Sequence, residues 1–352
     1  MPLQDASLPP LDLPLDRPLD VVRAHPLCAE TPVPVLQHAV TPPASVYVRS
    51  NFDTPVVHGD WTVTVSGGVE RATRFSLADL AAMPQHTVLV TMECAGNWRL
   101  GMDPVPTGEP WKYGAVSTTH WSGVPLARLL AQAGVSGDAL EVVAAGADAG
   151  PRDDAEGMVR FERALPLDVA MHPDTLVATH MDGAPLTAHH GAPVRLVVPG
   201  WYGMASVKWL TSLDVRAEPF TGYFQTKRYV YDVDGHIAPV ARALVKSMIV
   251  TPSPDGDCAR DVVVRGWAWS GSGAITRVEV AVHDTWHEAE LGVAASPYAW
   301  TPFSLAVSLP SGEVTLRSRA TDATGAVQPE TVAWNRLGYG NNAVRSITVQ
   351  VA

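Results

Sequence analysis

Cysteine is scarce in this chain. Cys28, Cys94 and Cys258 are the three thiols in 352 residues, and an odd number of widely spaced thiols makes no disulfide framework. That suits a reducing compartment. There is no C-x-x-C-H run to attach haem and no clustered cysteine spacing to hold an iron–sulfur centre. Charge is sparse too, at 17% of residues, and leans negative, with a net −11 at pH 7. This argues against nucleic acid or an anionic membrane as the main partner. No apolar run approaches the ~20 residues of a membrane-crossing helix. Residues 1–10 lack the basic and apolar regions of a signal peptide, and residues 349–352 lack a peroxisomal signal. The expected location is cytoplasmic, with a processed periplasmic form as the alternative. No G-x-G-x-x-G follows a strand, so a dinucleotide-binding fold is unsupported.

What the chain has in quantity is apolar surface and turns: 46% hydrophobic residues, 28 Gly and 30 Pro. Its length allows two domains with sizeable cores. Residues 1–20 alternate Pro, Leu and Asp and are expected to form an extended arm. From 21 to 240 helices and strands interleave. Residues 61–65, 87–92, 140–145 and 194–198 read as strands. Ser76 with Asp79 starts a helix with a capping box, and residues 125–133 form a short amphipathic helix ended by Gly134. Asp182-Gly183 is a hairpin-type turn. From 241 to 352 no helical period competes. Strand-like runs at 243–250, 262–269, 275–283, 301–309, 314–322 and 344–351 are separated by Gly, Pro and Ser turns, which predicts an immunoglobulin-like β-sandwich.

One thiol stands out. Cys94 follows the β-branched run 87–92 and precedes Ala95-Gly96-Asn97, which turns the chain. The thiol therefore leaves the end of a buried strand near the guanidinium of Arg99. A nearby cation favours thiolate, the form that ligates a soft metal or attacks an electrophile. Taken alone, Cys94 could equally be a small buried hydrophobe.

The run Glu93-Cys94-Ala95-Gly96-Asn97 resembles the loop by which sulfite oxidase family enzymes bind molybdenum through one cysteine. The resemblance continues through His25-Pro26-Leu27-Cys28, where Asn is usual in place of Cys28, and Val46-Tyr47-Val48-Arg49-Ser50-Asn51. It extends to Trp111-Lys112-Tyr113-Gly114, to the stretch from His190-Gly191-Ala192-Pro193 to Val207-Lys208-Trp209-Leu210, and to Trp334-Asn335-Arg336-Leu337-Gly338-Tyr339. It spans roughly residues 20 to 350 in the family's order. It implies an α+β chain: a mixed α/β molybdopterin-binding domain, then a sandwich that mediates homodimerisation.

The resemblance also implies roles. Cys94 would ligate molybdenum, and Asn51, His190, Arg195 and Lys208 would bind molybdopterin. Arg49, Arg99 and Trp111 would face the oxyanion substrate. Arg49, Arg99 and Tyr229 would serve catalysis, with Tyr231 the rival for the tyrosine. Arg offers a bidentate fork to phosphate and Lys a compact charge. Alone, Arg195 could pair with a buried carboxylate and His190 could be structural. Two departures touch the substrate side: Trp98 replaces the first of two usual arginines, and Leu337, or Arg336 one place out of register, falls where a dimer-domain arginine enters the pocket in vertebrate-type enzymes. The expected activity is oxidation of sulfite to sulfate by oxo transfer, with no haem and with electrons passed to oxygen or a separate acceptor such as a cytochrome. The rivals are reduction of S-oxides or N-oxides at the same centre, and a cofactor-free binding scaffold.

Overall fold

Residues 18–254 and 256–352 are described by the computed structural model. The arm expected over residues 1–20 lies outside them as far as residue 17, and Asp20 already opens the strand Asp20–Arg23. The chain is mostly β, with α-helices among the described residues confined to Leu77–Ala82, Leu126–Ala133 and Leu167–Ala170.

Two five-stranded sheets frame the first half. One runs Ala184–Pro185, Leu176–Met181, Val116–Pro125, His86–Glu93, with Arg195–Val197 also paired to Leu176–Met181. The other runs Thr73–Ser76, Thr62–Gly67, Leu210–Arg216, Glu141–Arg152, Ala155–Pro166. A small sheet of Asp20–Arg23, Cys28–Glu30 and Val48–Arg49 sets Cys28 opposite Arg49. Fully buried Val63, Leu126, Leu129, Leu130, Val142, Leu196 and Leu213 belong to the core of this half.

Local chemistry explains the helix ends and turns. Asp79 N–H donates to Ser76 Oγ at 3.1 Å and Ser76 N–H donates back to Asp79 Oδ2 at 2.8 Å, the reciprocal box expected from the sequence. Gly134 takes the left-handed conformation (φ 72°) that stops Leu126–Ala133. Asp182 (φ 49°) and Gly183 (φ 77°) turn Leu176–Met181 into Ala184–Pro185, as the hairpin reading requires. The strands Val116–Pro125, Ala155–Pro166 and Leu176–Met181 went unread in the sequence. The first buries Ser117, Thr118 and Thr119, pairing the hydroxyl of Thr118 with Thr91 and that of Ser117 with Thr31, so polar residues sit where a core strand shows apolar ones.

The second half is the sandwich. Lys246–Thr251, Asp261–Trp269, Thr301–Ser308 and Glu290–Leu291 form one sheet. Asp257–Cys258, Ser346–Val351, Gly312–Asp322, Ile275–Val282 and Thr285–Glu288 form the other. Inward-facing Val264, Val278, Val280, Val314, Leu316 and Val349 are fully buried between them. A hairpin, Val230–Val233 with His236–Pro239, precedes the sandwich where the sequence changes character. The two halves meet through Trp267, Trp269 and Trp300, clustered with Leu36 and Val116; Trp267 and Trp300 stack with centroids 5.0 Å apart.

Candidate functional site

Cys94 leaves the last residue of His86–Glu93, a strand buried on both faces over its final six residues. Its N–H donates to Ala115 O at 2.9 Å and its carbonyl accepts Asn97 N–H at 2.8 Å, closing the turn that points the thiol into a pocket. A Cβ at Gly96 would lie 2.5 Å from Arg99 Nη2, so any larger residue there would have to displace that guanidinium.

The pocket holds about 760 Å³ of empty space, counting its open mouth. Tyr47, Arg49, Asn51, Cys94, Thr119, Trp121, Asp148, His190, Arg195, Lys208 and Tyr229 are on its wall. The structure thus gathers Asn51, Cys94, His190, Arg195, Lys208, Arg49 and Tyr229 from five separate stretches of chain. Tyr229 lines the pocket and Tyr231 does not.

Four of the wall residues carry a buried polar atom with no partner: Arg49 Nη1, Asp148 Oδ1, Thr119 Oγ1 and Trp121 Nε1. Buried polar groups are almost always paired. Two donors, an acceptor and a hydroxyl left over around one cavity describe a site built for a polar ligand. Asp148 escaped the sequence reading, although a lone carboxylate in the small-residue run Ala144-Ala145-Gly146-Ala147 was a signal. Burial pushes its carboxyl up while Lys208 pulls it down. Burial also pushes the Lys208 ammonium down, Arg195 acting in the same direction and Asp148 against it.

The remaining side chains are held in place from behind. Lys208 Nζ donates to Ser50 Oγ and His189 O, each at 2.8 Å. Arg195 donates to His190 O and Ser206 O at 3.0 Å and lies over the Trp121 ring, so it has no carboxylate partner among the described residues. Burial lowers it to about 10, which leaves it charged. His190 donates through Nε2 to Val46 O at 3.1 Å and accepts the Thr187 hydroxyl at Nδ1. Burial, then Arg195 and Lys208, lower it to about 3, so the ring is neutral.

Asn51 bonds to Tyr229 directly. Arg152 Nη2 donates to Asn51 Oδ1 at 3.2 Å, which orients the amide so that Nδ2 donates to the Tyr229 oxygen at 3.1 Å. The phenol's acceptor side is then engaged, and its proton is free for the pocket.

Arg99 and Trp111 are not on the pocket wall. Arg99 donates through Nε and Nη2 to Leu337 O at 3.0 and 2.9 Å, and through Nη1 to Glu109 O at 2.6 Å. Trp111 is fully buried, packed in one cluster with Cys28, Tyr47, Cys94 and Ala115. Arg99 does pull the Cys94 thiol down, as expected, but it is neither the first nor the decisive influence. Burial pushes the Cys94 thiol up, and of the groups opposing it Arg49 comes first, ahead of the Gly96 N–H and Arg99. Arg336 is exposed and paired with Asp232 at 3.0 Å, and Leu337 is buried, so neither brings a cation to the pocket. Trp98 takes a left-handed backbone (φ 63°) and lies off the wall as well.

Among the described residues no three His, Cys, Asp or Glu side chains converge on a metal position.

Residues 51–224 match the family described as the oxidoreductase molybdopterin binding domain, and residues 239–352 match the Mo-co oxidoreductase dimerisation domain. The chain is 35% identical to mitochondrial sulfite oxidase of Rattus norvegicus, over 99% of this chain and 69% of that protein. It is 33% identical to a nitrate reductase [NADH] of Solanum lycopersicum, over 90% of this chain and 39% of that one. Among solved structures, the sulfane dehydrogenase SoxCD from Paracoccus pantotrophus is 30% identical, with a TM-score of 0.81 over 93% of this chain and 85% of that chain.

Proposed function

The chain belongs to the sulfite oxidase family of molybdopterin oxidoreductases, and from that premise we propose that it oxidises sulfite to sulfate, passing electrons to an external acceptor or oxygen. The observation that carries this reading is the ring of unpaired polar atoms around the Cys94 pocket. A pterin with a phosphate fits what they lack. Its ring edge offers N–H donors for Asp148 Oδ1 and an acceptor for Trp121 Nε1, Arg195 and Lys208 supply positive charge for phosphate, and Arg49 Nη1 is left for the substrate. Asn51, His190, Arg195, Lys208 and Asp148 would hold the cofactor, with Cys94 on molybdenum. When bound, the molybdenum–pterin group supplies the two-electron redox chemistry.

The chain's own residues do the rest. Arg49 holds the oxyanion: burial works against its charge, but Tyr229, Cys28, Cys94 and Glu109 around it more than offset that and raise its pKa. Tyr229 presents its free hydroxyl proton to a substrate or product oxygen. Arg99 and Trp111 act from behind, keeping the cysteine loop in shape. Loaded protein should reduce an artificial acceptor such as ferricyanide when given sulfite. If it is inert to sulfite yet consumes dimethyl sulfoxide or trimethylamine N-oxide in the presence of a reduced viologen, the direction of oxo transfer is wrong. That second reading has a specific basis, because Arg99, Arg336 and Leu337 leave Arg49 with less cationic company than a dianion pocket would have.

The same proposal includes a homodimer through the sandwich. Its outer strands Thr285–Glu288 and Glu290–Leu291 are mostly exposed, and nearby Val293 is 93% exposed. An isologous contact would cover such edges. Sedimentation at micromolar concentration should give twice the monomer mass of 37.5 kDa; a monomer there removes the idea.

A further inference from the structure

We propose that Lys246, in the sandwich, is a positioning residue for the cysteine loop, so that the second domain is part of the frame of the active site as well as a surface for pairing. The inference rests on the reading of Cys94 as the metal ligand. It starts from Glu93, whose side chain is 1% exposed immediately before Cys94. Three donors converge on that carboxylate. Lys246 Nζ reaches Oε1 at 2.8 Å, Asn97 Nδ2 reaches Oε1 at 2.9 Å, and Trp269 Nε1 reaches Oε2 at 2.9 Å. Lys246 is the only cation within ion-pair distance of Glu93 among the described residues, and its own side chain is 7% exposed.

The sandwich half also grips the loop beyond the cysteine. Gly340 N–H donates to Ala95 O at 2.8 Å, Asn341 Nδ2 donates to Trp98 O at 2.9 Å, and Leu337 O accepts Arg99. Contacts from residues past 245 therefore reach the loop on both sides of Cys94. Those after it are backbone acceptors or neutral donors. The Lys246–Glu93 pair is the charged one, and a buried carboxylate deprived of its cation cannot stay where it is without a large penalty. When Glu93 moves, Asn97 loses its acceptor, and Asn97 N–H is the group that closes the turn onto Cys94 O. The displacement passes to the ligand through two hydrogen bonds.

The test compares Lys246→Met, Lys246→Arg and the double variant Glu93→Gln/Lys246→Met with the parent. Trp267→Phe, which removes a cross-domain hydrogen bond to Leu36 O away from the loop, is the control. In cofactor-free protein, amide hydrogen exchange over residues 94–99 should rise about tenfold in Lys246→Met with the sandwich strands unchanged. In loaded protein the sulfur-to-molybdenum absorption band should shift or weaken. Lys246→Arg should restore both signals, and the double variant should restore most of the exchange protection because it leaves no unpaired charge. Trp267→Phe should leave the loop unmoved. Unchanged exchange at 94–99 in a folded Lys246→Met protein, or a rise spread evenly through the sandwich, overturns the proposal. If Lys246→Met does not fold, the double variant carries the test: a neutral pair that folds but exchanges at 94–99 as fast as a denatured loop also overturns it. Loop exchange that responds as stated in a parent protein unable to retain molybdenum would keep the positioning role and sink the molybdenum reading instead.

Discussion

Serine in place of Cys94 is expected to abolish sulfite oxidation and bound molybdenum together, while leaving the protein folded. The oxygen of serine is a harder and far less acidic ligand than a thiolate, and so a poorer partner for molybdenum. The fold should tolerate the change. The substitution swaps sulfur for a smaller atom in the cluster of Cys28, Tyr47, Trp111 and Ala115, at about 1 kcal/mol. Inductively coupled plasma mass spectrometry of parent and variant, beside thermal unfolding, separates the two effects. A serine variant that keeps molybdenum and near-parental turnover would remove Cys94 from the centre of the site.

The second large effect should come from Arg49→Gln. With a net charge of −11, the protein as a whole does not draw in an anion. Binding must depend on short-range contacts, and Arg49 is the wall cation with a donor, Nη1, that has no partner. Losing one charge-assisted hydrogen bond to a desolvated oxyanion costs about 1.5–3 kcal/mol, or ~10–100-fold in affinity. The Michaelis constant for sulfite should rise by that factor with a much smaller fall in kcat, because substrate and transition state make the interaction alike. Arg99→Gln makes the contrast. Its donors bind the carbonyls of Leu337 and Glu109, so its replacement should lower thermal stability with little change in the Michaelis constant at equal molybdenum content. If Arg49→Gln leaves sulfite kinetics unchanged, sulfite is not the substrate.

The different fates of Arg49 and Arg99 show where sequence reasoning reached and where it stopped. Cys94 was legible because a buried β-branched strand running into Ala95-Gly96-Asn97 has to put its last side chain at a strand end. The six longer strands of the sandwich were legible because turn residues break an otherwise uninterrupted β pattern. Arg99 was misread because proximity along the chain to Cys94 says nothing about which carbonyl its guanidinium will find, and Leu337 O comes from 238 residues away. Asp148 was missed for the opposite reason. Its significance lies in having no partner, a property that exists only once the cavity has formed around it. Lys246 opens an ordinary sandwich strand in sequence, and Glu93, its partner, is 153 residues distant. Val116–Pro125 hid its hydroxyls inside the sheet, so a hydrophobic pattern could not find it.

The stack of Trp267 on Trp300, with rings inclined by 11°, gives the molecule a built-in optical signal. Two indoles in that arrangement couple electronically, so the near-ultraviolet circular dichroism carries a contribution that neither ring would give alone. Both rings also donate to backbone carbonyls of the first half, Trp267 to Leu36 and Trp300 to Ala39. Any parting of the halves must therefore break the alignment or those bonds. The state of the junction between the two halves can thus be followed in solution by light alone, with no label attached and no cofactor bound.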